Sequence, residues 1–597
     1  MSTAKHTFGE RVKKAIGIEG DTKRVVFPML NYTATNISTS GASYFFSLYY
    51  IPFLVYVEGL SPSQVGLIIL IKSVWDAITD PLMGVITDRT RSRFGKHRVY
   101  IIAATVPFAF TFFMTWYSFG LSGHASSNAV MLYYIAAYVL YSTATTVLTV
   151  PHTAMLPEMA PDYFLRTQYN SVGYLMNSAG MVPSFILASL VLNFVRPAKL
   201  TVGSFFGSVL NCFTHSLDPE TVPKSHYFVV GLVLAAAYII PLSITARKCK
   251  ERSSLRDRFE PFSAGYAFRE YALVFKNRAF RQYFIISILY MFATGFYNSS
   301  KIFLFKELSD TYFLYGIINI IAGICEASGF PLNYAITKKF GKQKCSWITT
   351  PFWIVSLAII LFITGPKSDG GKWVNVVLII VHTILYNFGL SGIGFTTTNT
   401  YPDITDVDEM IIGRRREGVI ATFSTFIKKI ASGMMGMFVL TGLEWFGVNT
   451  ANSSATTMRG SVEGGKHAYE IFGPFFGAHF GIKLFSAIVP LACIIGSLIA
   501  LKHFTMTKSQ HTMIRAAIAT KKKYGAVILS DEDREACEKI AGRKWDEMWL
   551  GEQPEGITPQ PLEEPRDGKY AILEEEKAAL AAEIETARQK ATAVNDR

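Results

Sequence analysis

Asp76 and Asp80 sit four residues apart in an apolar run that begins near Val65 and leads into the segment WDAITDPLMGVITDRTRSRFGKHR (75–98). On a helix that spacing puts both carboxylates on one face, one turn apart. A carboxylate at the centre of a bilayer-spanning helix costs roughly 2.5–3.5 kcal/mol on insertion scales. Two on one face therefore need a protein interior that neutralises them. A bound cation or a shared proton would do so, and so would a structural Lys or Arg. Lys72 lies one turn before Asp76, giving Lys72, Asp76 and Asp80 at i, i+4 and i+8. If the span begins near Ser63, Lys72 is roughly 14 Å along the helix, close to mid-membrane. Either it snorkels to the headgroups or it pairs with Asp76 and tunes the local charge; its depth favours pairing. Asp80 would then carry the titration or the Na+.

The elements that position these groups are membrane-spanning helices. Half of the 597 residues are hydrophobic and only 17% are charged, with a mean hydropathy of +0.27. A soluble chain of this length would carry far more charge. Apolar segments of about 20 residues, enough to cross roughly 30 Å of hydrocarbon, recur near 33–57, 63–87, 99–121, 129–155, 168–195, 226–247, 282–305, 311–337, 346–365, 373–401, 418–446 and 474–504. The expected organisation is an all-α membrane protein with a polar segment over 1–25, six helices over 26–247, a central loop over 248–281, six helices over 282–505 and a tail over 506–597. The first 25 residues lack the apolar core of a signal peptide.

The formal net charge is +13, and its distribution argues against nucleic acid as a partner. Arg89, Arg91, Arg93, Lys96 and Arg98 follow the second span; Arg247, Lys248, Lys250 and Arg252 open the central loop; Lys338, Lys339, Lys342 and Lys344 follow the eighth. Basic loops alternate with loops that hold few cations, so the basic side is cytoplasmic. Both termini then lie inside, in a plasma (inner) membrane. Six scattered cysteines offer neither a disulfide framework nor metal-ligand spacing.

The chain echoes itself. Pro81-Leu82 leads through GVITD to Phe94-Gly95-Lys96, and Pro331-Leu332, 250 residues later, leads through NYAIT to Phe340-Gly341-Lys342. Each proline is expected to end a span. LPEMAPDYFLRTQ (156–168) is likewise echoed by YPDITDVDEMIIGRRRE (401–417). Two related halves suit a transporter that rocks about a central site. The second echo sets Arg166 on one half against Asp403 and Asp406 on the other, a charge pair expected to gate the cytoplasmic side.

The tail is polar. Ser530 is placed as an N-cap ahead of three acids, and EEEKAALAAEIETARQKA reads as a surface helix. It docks on the cytoplasmic face, recruits a partner, or is a solvated and functionally silent extension. Membrane hydrolases are disfavoured, because no G-x-S-x-G, no H-E-x-x-H and no paired histidines are found. His382, near Asn387, reads as a hydrogen-bonded packing residue. A transporter-like sensor that no longer transports stays open, on the strength of the tail.

WDAITDPLMGVITDRTRSRFGKHR, VPHTAMLPEMAPDYFLRTQ and PDITDVDEMIIGRRREG together resemble the glycoside–pentoside–hexuronide:cation symporters, the melibiose-permease branch of the major facilitator superfamily. The likeness extends over about residues 30–505. It implies twelve helices in two pseudo-symmetric six-helix bundles, alternating access and a coupling ion, Na+ or H+, with no other cofactor. It places the cation on Asp76 and Asp80, with oxygens from Thr79 and, on the fourth helix, Thr146. The family's substrate positions fall on Ser40, Thr149, Thr153, Tyr174 and an eleventh-helix lysine, Lys429. The acids that grip neutral sugars in melibiose-type permeases are missing at these positions. A pocket with a cation and few acids suits a hexuronide or sulfonated sugar; it also suits a lysophospholipid, which a vertebrate branch of the family carries. The expected protein is a monomer in the lipid bilayer that takes a small-molecule substrate with its cation.

Overall fold

The computed structural model of the protein describes residues 26–90, 92, 94–121, 124–159, 163–193, 216–249, 273–365, 369–414, 417–448, 477–504, 506–554 and 556–562. Twelve long helices are described, in chain order α1 Phe27–Pro52, α2 Pro62–Arg89, α3 Arg98–Met114, α4 Ser127–Met159, α5 Tyr163–Leu192, α6 Lys224–Lys248, α7 Arg278–Phe303, α8 Tyr315–Phe340, α9 Lys342–Phe362, α10 Asp369–Ile412, α11 Glu417–Trp445 and α12. The last runs from Ala478–Lys483 through a π-helical turn, Leu484–Ile488, into Val489–Lys502. Seven of the described helices are long and apolar enough by themselves to cross a membrane. α2 is not among them, since Lys72, Asp76 and Asp80 interrupt its apolar run.

Local chemistry sets several ends. Ser61 opens α2 with a capping box: its Oγ accepts from Gln64 N–H, and Gln64 Oε1 accepts from Ser61 N–H at 3.0 Å. α3 stops at Met114, short of the expected end, because the chain turns through Phe119 and Gly120, both at positive φ. The prolines of the first echo do not end their helices. Pro81 lies inside α2, which runs to Arg89, and α8 continues past Pro331 to Phe340. A proline removes one N–H from the ladder without removing the bonds on either side. The repeat reappears elsewhere: α1 and α7 both loosen at the same end into five-residue π turns, Phe53–Val57 and Leu304–Leu308.

The chain forms two compact units. The larger comprises residues 1–268, 284–398 and 421–502. In its first half α1 packs on α5 and α6, α4 on α2 and α3, and α3 on α6. The α1–α5 approach is close enough that a Cβ on Gly180 would meet the Ile37 carbonyl oxygen at 2.1 Å, so only glycine fits there. An aromatic core around Phe46, Phe53, Phe112 and Trp116 fills that half. Near the π turns the two halves of this unit are joined: Tyr56 donates from its hydroxyl to Glu307 Oε1 at 3.0 Å, and Ser63 N–H donates to Glu444 Oε2 at 2.8 Å.

The smaller unit comprises residues 269–283, 399–420 and 503–597. It gathers the end of α10 and the tail helices α13 (Lys508–Tyr524) and α14 (Asp531–Ala541). Ser530 caps α14 by accepting from Asp533 N–H at 3.2 Å. A short parallel pair, β1 (Val527–Ile528) and β2 (Gln560–Pro561), joins the segments flanking α14. The expected helix beyond residue 570 lies outside the described residues.

Candidate functional site

Charged side chains from α2 and α11 and hydroxyls from α4 meet inside the larger unit. α2 presents Lys72, Asp76 and Asp80 along one face, and α4 lies against it. Trp75 Nε1 donates to Thr143 Oγ1 at 2.8 Å and fixes the α2–α4 register. α11 approaches α2 so closely that a Cβ on Gly433 would lie 2.4 Å from the Ser73 Cβ. That approach brings Lys429, one turn earlier on α11, to the carboxylates.

Each carboxylate receives one ammonium and one hydroxyl. Lys72 Nζ is 2.7 Å from Asp76 Oδ2, and Ser142 donates to Asp76 Oδ1. Lys429 donates to Asp80 Oδ2 and sits 3.8 Å from Asp76 Oδ2; Thr146 donates to Asp80 Oδ1 at 2.8 Å. The four charges cancel. Asp76 is buried, 7% exposed, which only a compensated carboxylate tolerates. Ser142 was not singled out from the sequence. Its signal was available: it precedes Thr146 by four residues, matching the Asp76–Asp80 spacing across the helix pair.

The cluster borders a cavity of about 1330 Å³ between the two halves of the larger unit. Thr149 and Lys429 line it, with Tyr138, Tyr141, Tyr290 and Asn387. Three other expected residues do not. Ser40 donates to the Asn36 and Asn177 carbonyls at 2.5 and 2.9 Å, which ties α1 to α5. Thr79 donates to the Trp75 carbonyl at 2.9 Å within its own helix, and the exposed Thr153 does the same toward Val150 at 2.9 Å. A hydroxyl facing a carbonyl one turn back satisfies it locally and turns it from the cavity. The Tyr174 side chain lies outside the described residues.

On the far wall α7, α8 and α10 contribute Tyr297, Lys301, Asn319 and Asn387. His382 is fully buried behind them. Its Nδ1 lies 2.9 Å from the Ser356 carbonyl, which can only accept, so Nδ1 carries the proton and Nε2 accepts from the Tyr297 hydroxyl at 2.9 Å. That makes it the packing residue the sequence suggested.

The acids assigned to a gate are engaged inside the smaller unit. His511 Nε2 is 3.0 Å from Asp406 Oδ2 and 3.7 Å from Asp403 Oδ1, and Arg515 Nε is 3.8 Å from Asp406 Oδ2. Lys522 pairs with Glu409 one turn further on. Lys521, almost fully buried, caps the carbonyls of Trp549, Leu550 and Glu552, while Trp549 N–H and Leu550 N–H donate to Ile411 and Met410 at 2.9 and 3.1 Å. The Arg166 side chain lies outside the described residues. α10 runs past the expected end of its span because the tail supplies partners for its last turns.

Compared with known proteins, the family described as MFS/sugar transport protein matches residues 32–461. The isoprimeverose transporter of Lactiplantibacillus pentosus is 23% identical over 418 residues, covering 69% of this chain and 77% of that protein. The sodium-dependent lysophosphatidylcholine symporter 1 of Gallus gallus is 24% identical over 426 residues, covering 67% and 75%. Among solved structures, the nucleoside transporter NupG superposes with a TM-score of 0.51 at 12% identity, covering 81% of this chain and all of that one. Such a likeness speaks for the fold alone.

Proposed function

Because the chain belongs to the major facilitator family of MFS/sugar transport proteins, matched over residues 32–461, we propose that it is a cation-coupled symporter whose ion site is Asp76 and Asp80. It is an integral membrane transporter and not an enzyme. The observation that carries the coupling role is the neutral Lys–Asp cluster on the wall of the central cavity. A Na+ or a proton and the Lys429 ammonium compete for the same Asp80 oxygen. When the cation takes that oxygen, Lys429 shifts to Asp76 Oδ2, 3.8 Å away, so the contact between the two halves changes with the ion while Lys429 stays within the cluster. Lys72 holds Asp76 within the same helix, so Asp80 is the exchangeable carboxylate. Thr146 keeps Asp80 oriented, and Ser142 does the same for Asp76. A hard oxygen set of this kind suits Na+, Li+ or a proton.

The substrate is a sugar, a glycoside, a hexuronide or a related anionic sugar, moved by alternating access in a plasma membrane with both termini cytoplasmic. With the basic loops inside, the Tyr56–Glu307 and Ser63–Glu444 contacts join the two halves at the outer end. A lysophospholipid is the second reading. It is favoured by the apolar part of the cavity wall, where Ile69, Val182, Phe185, Ile186, Ile320 and Ile324 lie, and by the lysophosphatidylcholine symporter among the relatives.

Uptake into proteoliposomes holding the full chain tests the proposal. Accumulation of a glycoside or lysolipid driven by an inward Na+ or proton gradient, and abolished by Asp80→Asn, is expected. Equal uptake with and without either gradient would remove the coupling role from these aspartates.

A further inference from the structure

The cavity holds a fifth charge that the cluster does not absorb. Lys72 and Lys429 are matched by Asp76 and Asp80, so the charged groups lining the cavity sum to zero without Lys301 and to one positive charge with it. Lys301 stands on α7, in the other half of the unit from both aspartates. Its ammonium donates to Asn319 Oδ1 at 2.6 Å and lies over the Tyr315 and Phe305 rings, 5.5 and 5.9 Å from their centroids. No carboxylate among the described residues is within ion-pair distance of it. An amide oxygen and two ring faces hold and aim an ammonium, but they leave its charge uncompensated and further N–H donors free.

From this we infer that Lys301 is the group that fixes the specificity of the transport site, by binding a single negative group on the substrate. The inference rests on the symport reading above and narrows it to substrates with one carboxylate, sulfonate or phosphodiester. The geometry reassigns the role that the sequence placed on Lys429. Lys429 is spent on Asp80, and an anion that reached it would compete with a covalently tethered carboxylate. Lys301 has no such rival. Asn319 and Tyr315 also line the cavity, so the ammonium is presented to its interior. An anion there cancels the surplus charge and turns a cost of the empty site into substrate affinity. A neutral substrate of the same shape leaves the charge unmatched, and that difference sets the selectivity. Sugar acids and lysophospholipids share this chemistry, and two probe pairs separate them.

The test uses the full-length protein in detergent micelles, with equilibrium binding of methyl glucuronide against methyl glucoside and of lysophosphatidylglycerol against the neutral monoacylglycerol. The expected result is a preference of about tenfold to a hundredfold for the anionic member of one pair, as one charge-assisted hydrogen bond allows. Lys301→Met should bring that ratio near one, and Lys301→Arg should keep most of it. The pair that shows the preference identifies the source of the anion. An unchanged ratio in Lys301→Met would overturn the inference, and so would a ratio lost in Lys429→Met but kept in Lys301→Met. Wild-type protein with no anion preference in either pair would overturn it as well. In those cases gradient-driven uptake of methyl glucoside or of the monoacylglycerol by wild-type proteoliposomes leaves the symport reading standing, whereas no uptake of any probe removes both. If Lys301→Met does not fold, the Lys301→Arg and Asn319→Leu variants carry the test. Asn319→Leu frees the ammonium from its amide partner and should shift the anion-to-neutral ratio without removing the charge.

Discussion

The Lys429 ammonium rests on the Asp80 carboxylate across 349 residues of sequence, joining α11 of the second half to α2 of the first. A link of this kind is positioned to change between conformations. Breaking a buried pair from one side costs about 3–5 kcal/mol, and the cavity-facing exposure of Lys429 discounts that to about 2–3 kcal/mol. Lys429→Met should therefore lower thermal stability by that amount, and Asp80→Asn with Lys429→Met should recover most of it. A double variant no more stable than the worse single variant would show that the two side chains do not act as a pair.

Lys72 is held by Asp76 within one helix and is not expected to move. Lys72→Ala should retain transport while making it more dependent on Na+, because a fixed positive charge next to the ion site opposes a second cation. Asp80→Asn should abolish coupled uptake. Loss of all activity in Lys72→Ala, with Asp80→Asn tolerated, would reverse the two roles.

The hydroxyls divide into two groups. Thr146→Ala and Ser142→Ala each leave a carboxylate oxygen without its donor and should weaken cation affinity about threefold to tenfold, within the ~0.5–1.5 kcal/mol net worth of such a bond. Thr79→Ala should leave affinity within twofold, since its hydroxyl serves only the Trp75 carbonyl. Cation titrations of purified protein by thermal shift would read all three, and a strong effect at Thr79 would put it back in the ion site.

Closure near the π turns depends on few polar contacts. Glu444→Ala removes the acceptor for Ser63 N–H and should favour opening at that end. A cysteine at Ile51, which lines the cavity, should then label several-fold faster with an impermeant maleimide applied to intact cells. Slower labelling in this variant would place that end of the protein on the cytoplasmic side.

The tail is expected to resist thiol reagents while it is folded. Burial and the neighbouring Asp533 and Glu538 push the Cys537 thiol up to about 12 from 9.0. The thiolate, which is the reactive form, is therefore scarce at pH 8 and grows only as pH climbs toward that value. Lys521→Met leaves three carbonyls without their donor and should loosen the unit by about 1–3 kcal/mol. Iodoacetamide modification of Cys537 at pH 8 should then speed up severalfold in the variant. Equal rates in both proteins would show that Lys521 does not hold the tail together.

Local periodicity and chemistry carried much of this protein. Apolar runs of membrane length located the helices, the i, i+4, i+8 spacing put Lys72, Asp76 and Asp80 on one face, and Ser530 marked the start of α14, because each depends on residues within a turn or two of one another. The partner of Asp80 is different in kind. Lys429 reaches it only because Gly433 lets α11 close on α2, and no spacing in the chain encodes that crossing. Ser40, Thr79 and Thr153 had the right residue types for a pocket, but a hydroxyl on a helix has a backbone carbonyl always in reach, and helix rotation decides which it takes. Asp403 and Asp406 were legible as acids near the end of α10, but their contacts with His511 and Arg515 come from a tail about 100 residues further on, which only the fold brings to them. Lys301 drew no attention in the sequence, where a lysine near a helix end is ordinary. Its position on the cavity wall, opposite a cluster already neutral, exists only once α7 and α8 pack together.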